Sequence, residues 1–387
     1  MAFNSTSTLS GLVQTAYDRY VEFALRSQPM IRAVADKRPV QQAMPGSSVV
    51  FSLYNDLAAA TSALSETTDV DAVALPAVST VSVTLNEQGN SSLTTRKLEL
   101  FSLSDVDPAI ADIIAYNMAD SLDIIAQEPL RQGTNVIYSG AATTTGTVTA
   151  AATITSANLR KAVAKLRSNK AVPRQGSLYW VGIHPEVSHD LRAETGNVGW
   201  RDIHAQTDTA QGNLWAGTIG TYEGAFYVEN SRMFSAKSGA DQTDLATASA
   251  VSGVSGEFTI VAANAAFGGR AEVGDKIAGT NVGASAKITA ISVGATNTTF
   301  TVDVANSGTV GTNTLTVTPV TRVFSTLLCG KQALAEAVAQ EPGVVIGNVT
   351  DRLMRFRPIG WYGVLGFARY REEALYRIES GSSIAAL

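Results

Sequence analysis

The stretch Ser104 to Arg131, SDVDPAIADIIAYNMADSLDIIAQEPLR, constrains this chain more than any other. Ile110, Ile113, Ile114, Asn117, Met118, Ser121, Leu122 and Ile125 recur near the 3.6-residue period of a helix, with Asp112, Asp120 and Asp123 off that stripe. Asp105 or Asp107 is placed to cap it, since a short carboxylate accepts from the free N–H groups of the first turn and suits the positive end of the dipole. Pro108 sits in the first turn, where a missing N–H costs nothing. Pro129 marks the expected end, and Gly133 follows. At 1.5 Å per residue this is a strut roughly 30–35 Å long. The remaining elements have to be arranged around it.

Upstream, LVQTAYDRYVEFALRSQP places Leu12, Val13, Ala16, Tyr20, Phe23 and Ala24 on one helical face behind a polar leader. So short an amphipathic piece is marginal alone and reads as an arm needing a surface. Two strands follow, SSVVFSLYN with Val49, Phe51 and Leu53 on one face, and VSTVSVTLN with Val81, Val83 and Leu85 alternating. Between them, residues 56–77 have no period. A connection of that length is unusual in a compact domain, where most run about 4–6 residues. It reads either as a surface loop or as an extension that grips a neighbouring chain. EQGN reads as a turn into a third strand, SSLTTRKLEL.

After the strut, VIYSGAATTTGTVTAAATI reads as a turn-rich link. Ser156 is then expected to cap a helix with Leu159, Val163 and Leu166 inward and Arg160, Lys161, Lys165 and Arg167 outward. SLYWVGI reads as a buried strand, HPEVSHDLRAE as a helix, and GTIGTYEGAFYVENS as a turn and strand, together an α/β unit. From about Ser235 to Pro319 the sequence is almost entirely Gly, Ala, Ser, Thr, Val and Asn. EFTIVAA, AKITAISV, TTFTVDVA and TLTVTPV alternate within it, which predicts a small inserted β-barrel or sandwich. A helix is expected around Gln332–Gln340. The tail from Asp351 reads as long strands in which every basic residue is arginine. Arginine's planar fork suits paired bonds to carboxylates at subunit interfaces; a solvated β face fits the tail equally well.

Signals for chemistry are weak. A net charge of −5 with only 16% charged residues argues against a dedicated nucleic-acid binder. The G-x-S-x-G, G-x-x-x-x-G-K-[ST] and G-x-G-x-x-G patterns are absent from the sequence. His184 and His189 are five apart and do not share a helix face as i, i+4 ligands would. His204 has no supporting pattern as a base. Cys329 reads as a small buried hydrophobe. No catalytic, cofactor-binding or metal residue is assigned, no cofactor is expected, and the chain reads as non-enzymatic. The start lacks a secretion-signal pattern, and no apolar run reaches the ~20 residues of a membrane helix.

Four segments, VTLNEQGNSSLTTRKLELFSLSD, LRQGTN, GTIGTYEGAFYVENS and RPIGWYGVLGFARYREEALYRIES, together with their order, resemble tailed-phage major capsid proteins of the Hong Kong ninety-seven type. More narrowly they are similar to the family named after the coliphage N-four coat protein. The resemblance spans nearly the whole chain except the insertion. It implies an α+β capsid fold with an N-terminal arm (1–44), an extended-loop hairpin (45–104), and a spine helix with peripheral domain (105–153). An axial domain in two parts (154–234 and 321–345), an inserted all-β domain (235–320) and C-terminal strands completing the sheets (346–387) would follow.

The implied function is a coat protein whose hexamers and pentamers close into an icosahedral head around double-stranded DNA, without sequence-specific contact. Assembly would take place in the host bacterial cytoplasm, with scaffolding, portal and decoration proteins as further partners and no membrane. Because residues 56–77 contain no lysine, the covalent Lys–Asn link of some relatives is not expected. The short leader implies a separate scaffolding protein or none. Expected contacts between copies are Phe23 and Arg26 in the arm, Leu57 and Leu64 in the loop, and Arg352, Arg355, Arg357, Arg369 and Arg371 in the tail. An encapsulin-type shell fits the insertion and the Asn/Ser/Thr leader less well. A β-rich surface adhesin leaves the strut unexplained, and a hydrolase lacks any suggested substrate.

Overall fold

This computed structural model describes residues 30–39, 48–101, 106–194, 218–242, 246–263, 271–311, 314–347 and 353–384, apart from residues 55, 62, 65, 68, 70, 71 and 354. Strands β1 (Asp36–Pro39), β2 (Ser48–Leu53), β3 (Ser79–Thr84) and β4 (Asn86–Thr95) precede helices α1 (Arg96–Phe101) and α2 (Val106–Arg131). Then come β5 (Val136–Tyr138), α3 (Ser156–Ser168), β6 (Tyr179–Ile183), α4 (Pro185–Ala193), β7 (Thr218–Tyr222), β8 (Ala225–Glu229) and β9 (Ser235–Asp241). Strands β10 (Ala246–Ser252), β11 (Thr259–Ala263), β12 (Lys276–Ala278), β13 (Ile288–Val293), β14 (Asn297–Val302) and β15 (Thr314–Thr318) occupy the Gly/Thr-rich region. The chain closes with β16 (Val320–Cys329), β17 (Leu334–Ile346), β18 (Phe356–Arg369) and β19 (Leu375–Ser380).

Two compact units result, one of residues 1–29, 37–126 and 335–368, the other of 30–36, 127–334 and 369–387. In the first, β1, β17, β18 and β4 form a four-stranded sheet in that order, and β2 and β3 a separate pair. One face of α2 lies on the larger sheet. Ile114 and Leu122, flanked by Ile110 and Met118, pack with Val338, Ile359, Trp361 and Leu365. Asn117, which the periodicity assigns to the apolar stripe, is a polar bracket there. Its side-chain oxygen accepts from the Trp361 indole N–H at 3.0 Å and from the Asn90 amide at 3.3 Å. The helix runs on to Arg131, so Pro129 stands in its last turn rather than ending it. Asp105 and its cap lie outside the described residues.

Three local expectations fail in this unit. EQGN is not a turn, because β4 runs straight through it in register with β18, from Phe356↔Thr95 to Leu365↔Asn86. Gly89 serves close approach instead: a Cβ there would stand 2.7 Å from the Trp361 carbonyl oxygen. The expected third strand stops at Thr95, whose hydroxyl accepts from the Leu98 N–H and starts α1. The helix expected at Gln332–Gln340 is strand β17. Leu334 to Val338 are buried without a break, so both strand faces are covered, and that burial overrides the helix propensity of Ala, Leu and Glu.

The second unit is built on a seven-stranded sheet ordered β5-β19-β16-β6-β8-β7, with β9 also pairing β16. Its core joins Leu159, Val163 and Leu166 of α3 and Val187 and Leu191 of α4 to Tyr179, Tyr227, Phe324 and Ile378 of the sheet. Strands β6 and β8 are parallel with α4 in the connection, as the strand–helix–strand reading implies. TIGTY, read as a turn, is β7. It pairs with β8 across Glu223 and Gly224, both at positive φ (50° and 79°), the backbone a two-residue hairpin turn requires. The cap of α3 is Thr155, whose hydroxyl accepts from the Asn158 N–H; Ser156 instead binds the Glu194 carboxylate.

The alternating segments between 246 and 318 form a six-stranded sheet ordered β12-β15-β10-β11-β14-β13. Its ends meet. Ile277 N–H donates to Ala286 O and Ile288 N–H to Asp275 O, both at 2.9 Å, and Lys276 bridges Lys287. The sheet is therefore a closed barrel filled by Phe300, Ile260, Ile277, Ile288, Leu315 and Val317. The expected start at 235 is early, since β9 belongs to the seven-stranded sheet.

Candidate assembly surfaces

The hairpin β2–β3 is antiparallel from Ser48↔Thr84 to Leu53↔Ser79, and alternation buries Phe51 and Val83 on one face. The segment joining its strands carries no helix or strand among its described residues, and all of these except Pro76 are exposed. Leu57 and Leu64, the two expected contacts, both lie on it. Leu64 and Leu75 are 76% and 80% exposed, with Tyr54 and Val73 close to that. From Asp56 to Val78 the sequence holds Asp56, Glu66, Asp69 and Asp71 and no Lys or Arg. The result is an acidic segment with exposed apolar side chains. More of the same unit is similarly open: Leu93, Ile113 and Ile124, and Val344, Val345 and Ile346 at the end of β17.

The tail arginines divide. Arg355 and Arg357 are exposed on the first unit, the former 5.2 Å from the Phe356 ring. Arg369 belongs to the second unit and is used within the chain. It donates to the Gln132 carbonyl at 2.7 Å and to Glu372 at 2.8 Å, while Glu372 also receives the Thr134 hydroxyl. Arg371 beside it is exposed. Phe23, Arg26 and Arg352 lie outside the described residues.

The candidates for chemistry are structural in their contacts. His184 caps α4, its Nδ1 accepting from the Glu186 N–H at 3.3 Å, and its ring lies 4.8 Å from that of Phe324. Burial, helped by the Arg322 charge, moves its pKa down. His189 pairs with Asp190 at 3.3 Å. Cys329 is fully buried and its thiol is pushed up to about 12 by desolvation. His204 lies outside the described residues. Among the described residues no group of three or more His, Cys, Asp and Glu is placed to hold a metal, and no helix is long and apolar enough to cross a membrane. A cleft of about 420 Å³ beside Met30, Val34, Tyr179, Trp180 and Phe226 contains Arg174, whose guanidinium is already bound to Asp36 and to the Ala33 and Ala35 carbonyls.

The model of a family described as phage capsid protein matches residues 126–376. The chain belongs to the phage capsid protein family. Its role is structural, as a protein of a phage capsid. Solved capsids share the fold along their length. The cyanophage Pam1 capsid asymmetric unit is 13% identical with a TM-score of 0.60, covering 97% of this chain and 98% of that one. The capsid of cyanophage P-SCSP1u is 14% identical with a TM-score of 0.60, covering 97% and 94%. That of Helicobacter pylori bacteriophage KHP30 is 12% identical, also at 0.60, covering 98% and 99%. At such identities the likeness establishes the Hong Kong ninety-seven-type fold. No curated protein sequence matches.

Proposed function

We propose that this coat protein closes its shell through rings of six and five copies, with the 54–78 segment laid over a neighbouring copy and double-stranded DNA enclosed. The observation that carries this is the exposure of Leu57, Leu64, Val73 and Leu75 on that acidic segment. Closed shells need one contact repeated with rotations that close, and an extended hairpin supplies such a heterologous contact. The arm at 1–44 is the second gripping element. The contacts are non-covalent, since residues 56–77 offer no lysine for an isopeptide link. The barrel, net acidic over the 235–320 insertion, faces outward. Scaffolding and portal proteins act on the chain in the host cytoplasm.

Burying a leucine is worth about 1.5–3 kcal/mol, so Leu57→Ser with Leu64→Ser removes roughly 3–6 kcal/mol from each neighbour contact. The test is negative-stain electron microscopy and sedimentation of the purified full-length chain and of this double variant. Polyhedral shells or rings for the parent, with the assembly threshold raised more than 100-fold for a normally folded variant, are expected. A parent that stays monomeric at high concentration, or a variant that assembles unchanged, overturns the reading.

A further inference from the structure

The outward face of α3 and the turns beside it form a basic strip that the shell-building role does not use. Helix α3 carries Arg160, Lys161, Lys165 and Arg167 and no acidic residue. Lys170 continues the row from the turn after the helix, at φ 55°, a left-handed position that glycine or asparagine takes more readily. The fold then adds residues distant in sequence. Lys331 donates its backbone N–H to the Val172 carbonyl at 2.8 Å, and Arg371 donates to the Gln332 carbonyl at 2.9 Å. Lys161, Lys165, Lys170, Lys331 and Arg371 are all exposed.

Elsewhere among the described residues, Lys37, Lys237 and Lys276 each sit in an ion pair, while Lys97 and Lys287 do not. Nor do the lysines of the strip. Arg160 lies 4.0 Å from Glu223, and Arg371 is followed in the chain by Glu372 and Glu373. The helix dipole accounts for cations in the last turn of α3 but not for Arg160 and Lys161 before it, nor for Lys331 and Arg371 off the helix. In a chain of net charge −5, this surface gathers Lys161, Lys165, Lys170 and Lys331, none of them in an ion pair among the described residues.

We propose that this strip is a contact for the phosphate backbone of the enclosed duplex, independent of base sequence. The inference rests on the reading that the shell holds DNA. Lysines suit the role, being flexible point charges that meet phosphates without demanding a fixed geometry. Lys161 and Lys165, four residues apart, are about 6 Å from each other along the axis. Duplex DNA offers a charge about every 1.7 Å along its own axis. The acidic 54–78 segment of a second copy is the competing occupant. It is disfavoured because its uncovered Leu and Val side chains need an apolar host, and the strip exposes charged ends.

The test uses the full-length chain, as unassembled subunits separated by size exclusion and as shells, with a 30-base-pair duplex of arbitrary sequence as probe. Lysine acylation is read by mass spectrometry, and affinity by fluorescence anisotropy between 50 and 200 mM salt. With four lysines engaged, the slope of log affinity against log salt is about −3.6, roughly a 150-fold loss across that range. K161A/K165A halves the slope. DNA should protect Lys161, Lys165, Lys170 and Lys331 on the subunits several-fold, leaving Lys37 unchanged. Equal reactivity with and without DNA, or a variant with the parent's slope, overturns the proposal. Protection of the strip by shell formation alone, without DNA, overturns it in favour of a contact between copies. Failure of the parent to form shells at all is a separate result and removes the shell reading instead.

Discussion

Lys237→Met should destabilise the coat protein far more than Lys276→Met, although both lysines pair with a carboxylate across the junction of barrel and sheet. Lys237, on β9, has a side chain only 12% exposed and lies 2.6 Å from Asp275, which is 1% exposed. Asp275 stands at the start of the barrel strand β12. It also accepts the Glu272 N–H at 2.9 Å and the Val320 N–H at 3.3 Å. Removing the ammonium leaves a buried carboxylate with backbone donors but no countercharge, which costs about 3–5 kcal/mol. Unfolding entropy near 2.1 cal/mol/K per residue gives roughly 0.8 kcal/mol/K for 387 residues, so Tm should fall by about 4–6 °C if the chain unfolds as one unit. Lys276 and Asp241 are 34% and 48% exposed, and breaking that pair should cost under about 1 kcal/mol, about 1 °C or less. Adding Asp275→Asn to Lys237→Met should recover part of the loss, since the unpaired charge is then gone. Calorimetry of the unassembled chain separates these cases. Equal shifts for the two lysines, or a Lys237→Met change below 1 °C, would show that burial does not set the value of this pair.

Gly366→Ala should abolish soluble expression or cost several kcal/mol, because the added Cβ would fall on the Thr84 carbonyl oxygen, which is backbone and cannot rotate away. Pulse proteolysis checks this; Gly146→Ala, with open space around it, is the control. Cys329, with its thiol raised to about 12, should resist a disulfide reagent at pH 8 until the chain unfolds, then react completely. Glu272 is held below the ordinary carboxylate range by its hydrogen bond from Lys237, which outweighs the opposing effect of burial. Its contribution is therefore present above the unfolded value and lost as pH falls through the lower folded one. Urea unfolding should show Glu272→Gln less stable than the parent at pH 6, by under about 1 kcal/mol because the side chain is 55% exposed. The difference should shrink as pH falls below the unfolded value; one that grows on acidification would refute the assignment.

Where sequence reading succeeded, the signal lay within a window of a dozen residues. The stripe from Ile110 to Ile125 specified α2, and alternation around Phe51 and Val83 specified the hairpin; both are buried as the pattern implied. The long aperiodic segment after β2 was likewise recognisable as something its own chain does not bury. Leu57 and Leu64 were legible as candidate contacts for that reason. Arg369 was named as a contact too, but its bonds within its own chain were not legible, because its partners, Gln132 and Glu372, are set by the packing of the second unit.

Sequence alone therefore determined the strut, the alternating strands and the family likeness, since each depends on local period or on the order of segments. Tertiary structure decided the rest. The alanine-rich start of β17 is a strand because packing covers both faces of Leu334–Val338, and EQGN is extended because Gly89 lets β18 come close. The barrel closes because strands far apart in sequence share hydrogen bonds, and Lys237 meets Asp275 across 38 residues. The basic strip joins α3 to Lys331 and Arg371 in the same way. Propensity acts over one turn or one strand pair, whereas burial and charge pairing depend on whichever residues the whole fold brings together.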